Sequence, residues 1–225
     1  SGLMISEAAL AHGLSCAVVE KGAWGGTCLN RGCIPSKMLV YPADLIREAE
    51  QGSRIGVTFP KPDIDWAKIA RRMQRQIDVN KDLARELAGQ KGLTMYQGEA
   101  AFVDAHTILV KLGSGETQRF TADRIVIATG TRTRIPDVRG LEEAGYLTSE
   151  SIFGGQFPEK PFDSLLIIGG GATGCEFAHI FSAMGTRVTL TALRSQLLRG
   201  WDKELAQSLR SQMEDLGIQV HTSLN

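Results

Sequence analysis

The sequence predicts an α/β chain: two Rossmann-like dinucleotide-binding units with a small antiparallel β excursion. Three observations carry this. Leu3–His12 is apolar near helical spacing, Gly13 ends it, and Ser15–Glu20 is a short apolar run closing on an acid. Helix, turn and acid-terminated strand make the second half of a βαβ unit. Ser164–Ile168 then reads as a buried strand that runs at once into Gly169-Gly170-Gly171-Ala172-Thr173-Gly174, a helical Cys175–Met184 and a further strand, Arg187–Thr191. Between these, Thr94–Gln97, Thr107–Leu112 and Gln118–Thr121 read as strands, the last two joined around Gly113-Ser114-Gly115.

The remaining elements follow in order. Met38–Glu50 continues a helix begun near Cys33, and Gly52–Pro62 is a Gly- and Pro-containing loop. Asp63–Leu87 is expected as a long amphipathic helix with Ile64, Ile69, Met73, Ile77, Leu83 and Leu87 near one side and a solvated basic face. Arg124–Ala128 is an apolar strand running into Thr129-Gly130. Phe157-Pro158-Glu159-Lys160-Pro161 is a linker, so the domains are expected at 1–150 and 151–225. Asp202–Leu216 is helical and Gln219–Thr222 begins a strand.

In 225 residues, 25 Lys and Arg balance 25 Asp and Glu. That neutrality gives no reason to expect a nucleic-acid or membrane-surface partner. No apolar run reaches the roughly 20 residues needed to span a bilayer. Four cysteines in this length do not make a disulfide scaffold, which reads as an intracellular chain. The chain opens without a methionine or a signal peptide, and the leading strand and glycines of its first unit are expected before Ser1.

The densest chemistry lies in Gly25-Gly26-Thr27-Cys28-Leu29-Asn30-Arg31-Gly32-Cys33-Ile34-Pro35-Ser36-Lys37. A disulfide needs Cα atoms about 4.4–6.8 Å apart, and residues i and i+5 of a regular helix lie farther apart on different faces. A plain helix from Cys28 to Cys33 therefore could not close a bridge. Gly32 permits a bend, and Pro35 suits a first helical turn. The expectation is a bent loop closing into a helix near Cys33, whose sulfur then lies at the positive helix end. The residues alone leave open a redox pair, a structural bridge or two inert thiols. No second Cys/His pair at ligand spacing follows, so no metal site is expected.

This string resembles the active-site segment of the pyridine nucleotide–disulfide oxidoreductases, which include dihydrolipoamide, glutathione, trypanothione, mycothione and mercuric reductases. The resemblance implies an FAD enzyme in which Cys33 contacts the flavin, Cys28 exchanges with a small-molecule disulfide or dithiol, and Lys37 lies near the flavin, paired with Glu176. It implies FAD contacts from Ser1, Gly2, Glu20, Gly26, Thr27, Ala100 in Gly98-Glu99-Ala100, Thr129 and Gly130. Gly169, Gly170, Gly171, Thr173, Gly174 and Glu176 would serve the nicotinamide dinucleotide. The string leans toward dihydrolipoamide dehydrogenase, with a glutathione-, mycothione- or mercuric-type reductase, or a non-catalytic flavoprotein fragment, as the alternatives.

The choice of nicotinamide turns on the residue after Arg187–Thr191. An acid there would bind the NAD ribose, but the position is Ala192 and no acid appears until Asp202. Arg194 and Arg199 stand nearby, which favours a 2′-phosphate and NADP over NAD. Arg199 also matches the second phosphate arginine of glutathione-type enzymes; the first would fall at Leu193. The resemblance further implies a homodimer through a C-terminal domain beyond Asn225. That domain would carry the acid–base His and Glu, a role His12, His106, His179 and His221 do not match. The expected location is cytoplasmic, with a mitochondrial address left open.

Overall fold

The computed structural model describes residues 2–79, 82, 86–87 and 89–224. The chain groups into two compact units: Ser1–Arg31 with Gln76–Tyr146, and Gly32–Arg75 with Leu147–Asn225. The linker at Phe157–Pro161 predicts a single division at 150. The helical segment that begins at Gly32 instead groups with the second unit, because α3 packs along α7 there.

In the first unit, α1 (Gly2–Ala11) leads to β1 (Cys16–Glu20) and the short α2 (Gly26–Asn30). β2 (Leu93–Asp104), β3 (Thr107–Leu112), β4 (Thr117–Thr121) and α5 (Leu141–Ala144) follow. The sheet order is β1-β2-β3-β4. β2 extends well beyond the expected Thr94–Gln97. It pairs parallel with β1 from Leu93 to Gln97, then antiparallel with β3 from Gly98 onward. Gly98 sits at that change of partner, where a Cβ would come within 2.5 Å of the Lys111 carbonyl oxygen. A residue with a side chain would push the β3 backbone away, so glycine is what lets one strand serve both ladders.

Arg124–Ala128 is a correction: it forms no strand. Apolar character favours a strand only where a neighbour completes the ladder. Among the described residues none runs beside this segment, and Val126 and Ile127 are exposed. Its Ala128 end lies against Gly2 at the start of α1.

In the second unit, α3 (Cys33–Gln51) continues into a 3₁₀ turn, Gly52–Ile55. α4 (Trp66–Val79), of which the part to Arg75 belongs to this unit, begins later than Asp63, after Pro62, with Asp65 Oδ1 accepting the Lys68 N–H at 2.8 Å. Its expected continuation to Leu87 runs into residues outside those described, Leu83 among them. α6 (Ser149–Phe153) opens on a reciprocal Thr148–Ser151 capping box. Then come β5 (Ser164–Ile168), α7 (Ala172–Ala183), β6 (Arg187–Thr191), α8 (Lys203–Asp215) and β7 (Gln219–His221). The three strands form a parallel sheet, β5-β6-β7.

α7 is apolar on most sides because it packs both on this sheet and on α3. Leu39 and Ala43 of α3 and Ala178, Ile180 and Phe181 of α7 are fully buried. Trp66 stacks on Phe157 at 5.2 Å between ring centroids and donates Nε1–H to the Pro158 carbonyl at 2.9 Å. It thereby pins the Phe157–Pro161 stretch to α4. Phe181 meets Trp66, Phe162 and Phe177. Phe181→Ala is expected to lower stability by about 3–5 kcal/mol, read as a lower urea midpoint by tryptophan fluorescence.

Candidate active site

The glycine loop of the second unit is built by close approach. A Cβ at Gly174 would collide with the Gly169 carbonyl oxygen, so β5 and α7 meet here only across hydrogen. At Gly170 a Cβ would lie 2.7 Å from Leu197 Cδ2 and 2.8 Å from Ala192 Cβ. Gly169 adopts φ 129° and donates its N–H to Thr191 O at 2.8 Å. Gly171 differs: the space where its Cβ would project is open, and as N-cap of α7 it supplies no side chain. The unsatisfied N–H groups of the first turn, with exposed Thr173 among them, therefore face an open approach suited to an anion.

The loop after β6 folds back on these glycines. Leu198 N–H donates to Gly170 O at 2.7 Å, and Leu197 is buried against the same residue. Ala192 is buried, and Arg194 and Arg199 are both exposed on this braced loop. Leu197 and Leu198 were not singled out from the sequence. Their signal was present, a pair of apolar residues inside an otherwise polar stretch.

Cys33 is the first residue of α3, and the bend before it falls at Arg31 (φ −140°, ψ 14°) and Gly32 (φ −144°, ψ −107°). Pro35 lies buried in the first turn, where Ser36 N–H donates to Gly32 O at 3.0 Å. Both Cys28 and Cys33 are exposed. Gly26, Thr27 and Cys28 belong to α2, which Asn30 staples: its buried amide donates to Trp24 O and Gly26 O, both at 2.9 Å. Asn30 therefore has a structural task that motif reading alone did not give it.

One turn beyond Cys33, Lys37 Nζ donates to Glu176 Oε1 at 2.5 Å. Farther along the same pair of helices, His179 Nε2 lies 2.7 Å from Asp44 Oδ1, and Arg47 donates to Ser182 Oγ at 2.9 Å. The Lys37 and Glu176 side chains are 57% and 35% exposed. Such a pair stabilises a fold by at most about 1 kcal/mol.

In the first unit, Glu20 ends β1 and its Oε1 accepts the Gly22 N–H at 2.7 Å. Gln97 holds the same turn, donating to Glu20 O and Gly22 O, both at 2.9 Å. Gly2 begins α1 beside Ala128, and Ala100 pairs with Val110 in the sheet. Thr129 and Gly130 follow the segment that forms no strand and are exposed. Ser1 lies outside the described residues.

Residues 1–225 match the family model for the pyridine nucleotide-disulphide oxidoreductases. The chain belongs to that family. It is 35% identical over 217 residues to a mercuric reductase of Streptomyces lividans, covering 96% of this chain and 45% of the relative. It is 28% identical over 225 residues to a dihydrolipoyl dehydrogenase of Bacillus subtilis (99% and 48%) and 31% identical over 219 residues to a glutathione reductase of Nostoc (97% and 46%). A solved HOCl-induced flavoprotein disulfide reductase from Escherichia coli shares the fold, with a TM-score of 0.77 at 24% identity, covering 100% of this chain and 46% of that one. The chain thus spans about half the length of the curated relatives it matches.

Cys175 stands apart from the exposed cysteines. Burial, with the neighbouring Glu176 carboxylate second, pushes its thiol up to about 11 from the usual 9.0. The folded chain therefore keeps Cys175 protonated at a pH where the unfolded chain ionises it. Its contribution to stability is present below about pH 9 and is lost as pH rises toward 11. Under reducing conditions at neutral pH, iodoacetamide is expected to label Cys28 and Cys33 and to spare Cys175 until urea unfolds the chain, as read by peptide mass spectrometry.

Proposed function

We propose that this chain forms the dinucleotide-binding part of an FAD-dependent NAD(P)H:disulfide oxidoreductase with a redox-active Cys28–Cys33 pair, of the dihydrolipoamide dehydrogenase type. The observation that carries the reading is Cys33 at the head of α3 with Lys37 one turn on, bonded to Glu176 beside the glycine loop. The residues present fit a dinucleotide. Gly170 and Gly174 admit no side chain, Gly171 faces open space, and the α7 N-terminus lacks a side-chain cap. Glu20, on its turn held by Gln97, is the residue for the FAD ribose, and Gly2, Gly26, Thr27, Ala100, Thr129 and Gly130 complete that assignment.

Bound flavin and nicotinamide supply two-electron transfer. The Cys28–Cys33 disulfide takes up two electrons, originating in NAD(P)H, and two protons to become two thiols. Cys28, as thiolate, attacks one sulfur of a substrate disulfide and expels the other as a thiol after protonation. Cys33 then attacks Cys28 in the mixed disulfide, releasing the second substrate thiol and restoring the Cys28–Cys33 bond. Run in reverse, the same exchange oxidises a dithiol. Lys37, oriented by Glu176, places a positive charge where negative charge would develop.

Arg194 and Arg199, exposed on the loop braced by Leu198, are the candidates for a 2′-phosphate, which supports NADP. They also support a second reading, a glutathione-type reductase; the mercuric reductase relative supports a mercuric-type enzyme. A homodimeric, cytoplasmic enzyme acting on a small disulfide or dithiol, without nucleic-acid or membrane partners, completes the proposal.

Stopped-flow reduction of the flavin-loaded protein by NADPH and by NADH, followed by a panel of disulfides and dithiols, tests it. Arg199→Ala is expected to weaken NADPH use about tenfold, the scale of one charge-assisted hydrogen bond, and to leave NADH unchanged. Cys33→Ser is expected to cut disulfide turnover by at least about 10³-fold while nicotinamide still binds. A protein that takes no flavin, or whose turnover survives Cys33→Ser, would overturn the reading.

A further inference from the structure

Arg194 and Arg199 ride on backbone that is strained at two points. Among the described residues, Leu198 (φ 50°) and Ser223 (φ 59°) are the only non-glycine residues with positive φ. In that left-handed region Cβ crowds the following carbonyl oxygen. Such residues persist only where surrounding bonds over-determine them, and they cluster at ligand clamps. Both lie at the carboxyl end of the β5-β6-β7 sheet, the end at which parallel sheets bind ligands. Each is tied in beside an arginine.

Leu198 immediately precedes Arg199. Its N–H donates to Gly170 O at 2.7 Å, and its carbonyl accepts the Trp201 N–H at 3.0 Å. Arg199 is thus the second residue of a hydrogen-bonded turn, followed by Gly200 at φ 88°. Gln196 Nε2 steadies the turn by donating to Trp201 O at 3.3 Å.

Ser223 lies beyond β7, yet its N–H donates to Arg194 O at 2.9 Å. On either side, Ala192 N–H donates to His221 O at 2.8 Å and Leu224 N–H to Ala192 O at 3.3 Å. The tail after β7 therefore runs beside the loop after β6 as a short ladder. From α8, Arg210 donates to Thr222 Oγ1 at 3.1 Å and Val220 O at 3.3 Å, which holds the tail. Ser223 itself is exposed, so burial of its side chain does not impose the left-handed conformation. What that conformation delivers is the bond to the Arg194 carbonyl.

An exposed arginine side chain keeps wide rotamer freedom, so the part of it that can be fixed in advance is its backbone. Fixing it reduces the ordering cost when a ligand binds. We propose that Leu198 and Ser223 are positioning residues for a 2′-phosphate on the nicotinamide dinucleotide: held left-handed, they set the backbone of Arg199 and Arg194 before the ligand arrives. This rests on the NADP reading given above and extends it from the side chains that would meet the phosphate to the residues that hold them. The effect falls on ligands that carry the 2′-phosphate and spares those that lack it.

Isothermal titration calorimetry on the flavin-loaded full-length protein compares adenosine 2′,5′-bisphosphate with adenosine 5′-monophosphate, which differ only in the 2′-phosphate. The parent protein is expected to bind the bisphosphate at least about tenfold tighter, the scale of one charge-assisted hydrogen bond. Glycine and asparagine tolerate the left-handed region, so Ser223→Gly and Ser223→Asn are expected to keep that preference. A β-branched residue is an outlier there, so Ser223→Val and Leu198→Val are expected to cut the preference about threefold or more, with monophosphate affinity unchanged. In turnover, the KM for NADPH is expected to rise in the valine variants, while kcat and the KM for NADH stay at the parent values. A preference that survives both valine substitutions, or one lost in step with monophosphate binding, overturns the positioning role. A parent protein that binds the two nucleotides equally overturns the choice of NADP and this proposal with it. One that binds neither overturns the proposed function.

Discussion

The contact between α3 and α7 is the constraint on which the second unit depends. It buries Leu39 and Ala43 on one side and Ala178, Ile180 and Phe181 on the other. Apolar packing supplies the adhesion and is indifferent to small rotations, while the polar links beside it are directional. Together they bring a cation from the cysteine-bearing helix to a carboxylate on the helix that opens at the glycine loop. The Lys37–Glu176 bond adds little to stability by itself. Its value is positional, and the hydrophobic contact supplies the energy for it.

A second constraint is backbone proximity at the glycines. Gly174 lets α7 start tight against β5, and Gly170 lets the loop after β6 close over the first turn, with Leu197 beneath and the Leu198 amide bonded to its carbonyl. That closure fixes where Arg194 and Arg199 emerge. The glycine loop and the two arginines are thus coupled through one apolar brace. In the first unit Gly98 plays a comparable part, allowing a single strand to carry a parallel ladder and an antiparallel one.

The cysteines illustrate how environment separates like groups. Cys33 heads a helix and is exposed, whereas Cys175 is buried one residue from a carboxylate and resists ionisation. Thiol reactivity follows the thiolate and its access to solvent, so burial sets Cys175 apart from the exposed Cys33 within the second unit. Asn30, buried and bonded twice to the backbone of its own turn, shows that part of a redox string serves to shape the loop.

The sequence by itself determined the element types around the glycine loop, β5, α7 and β6, and the bend before Cys33. These are local: strand periodicity, glycine spacing and a proline in a first turn act over a few residues. It also led to the Lys37–Glu176 pair, through resemblance. Tertiary structure alone decided what depends on distant partners. Arg124–Ala128 has the composition of a strand but forms none, because a ladder needs a neighbour. The 32–75 segment groups with the second unit because of the α3–α7 packing. Asp44 and His179 are separated by 135 positions, and no local pattern links them; only the folded helix pair brings an acid and an imidazole into bonding range.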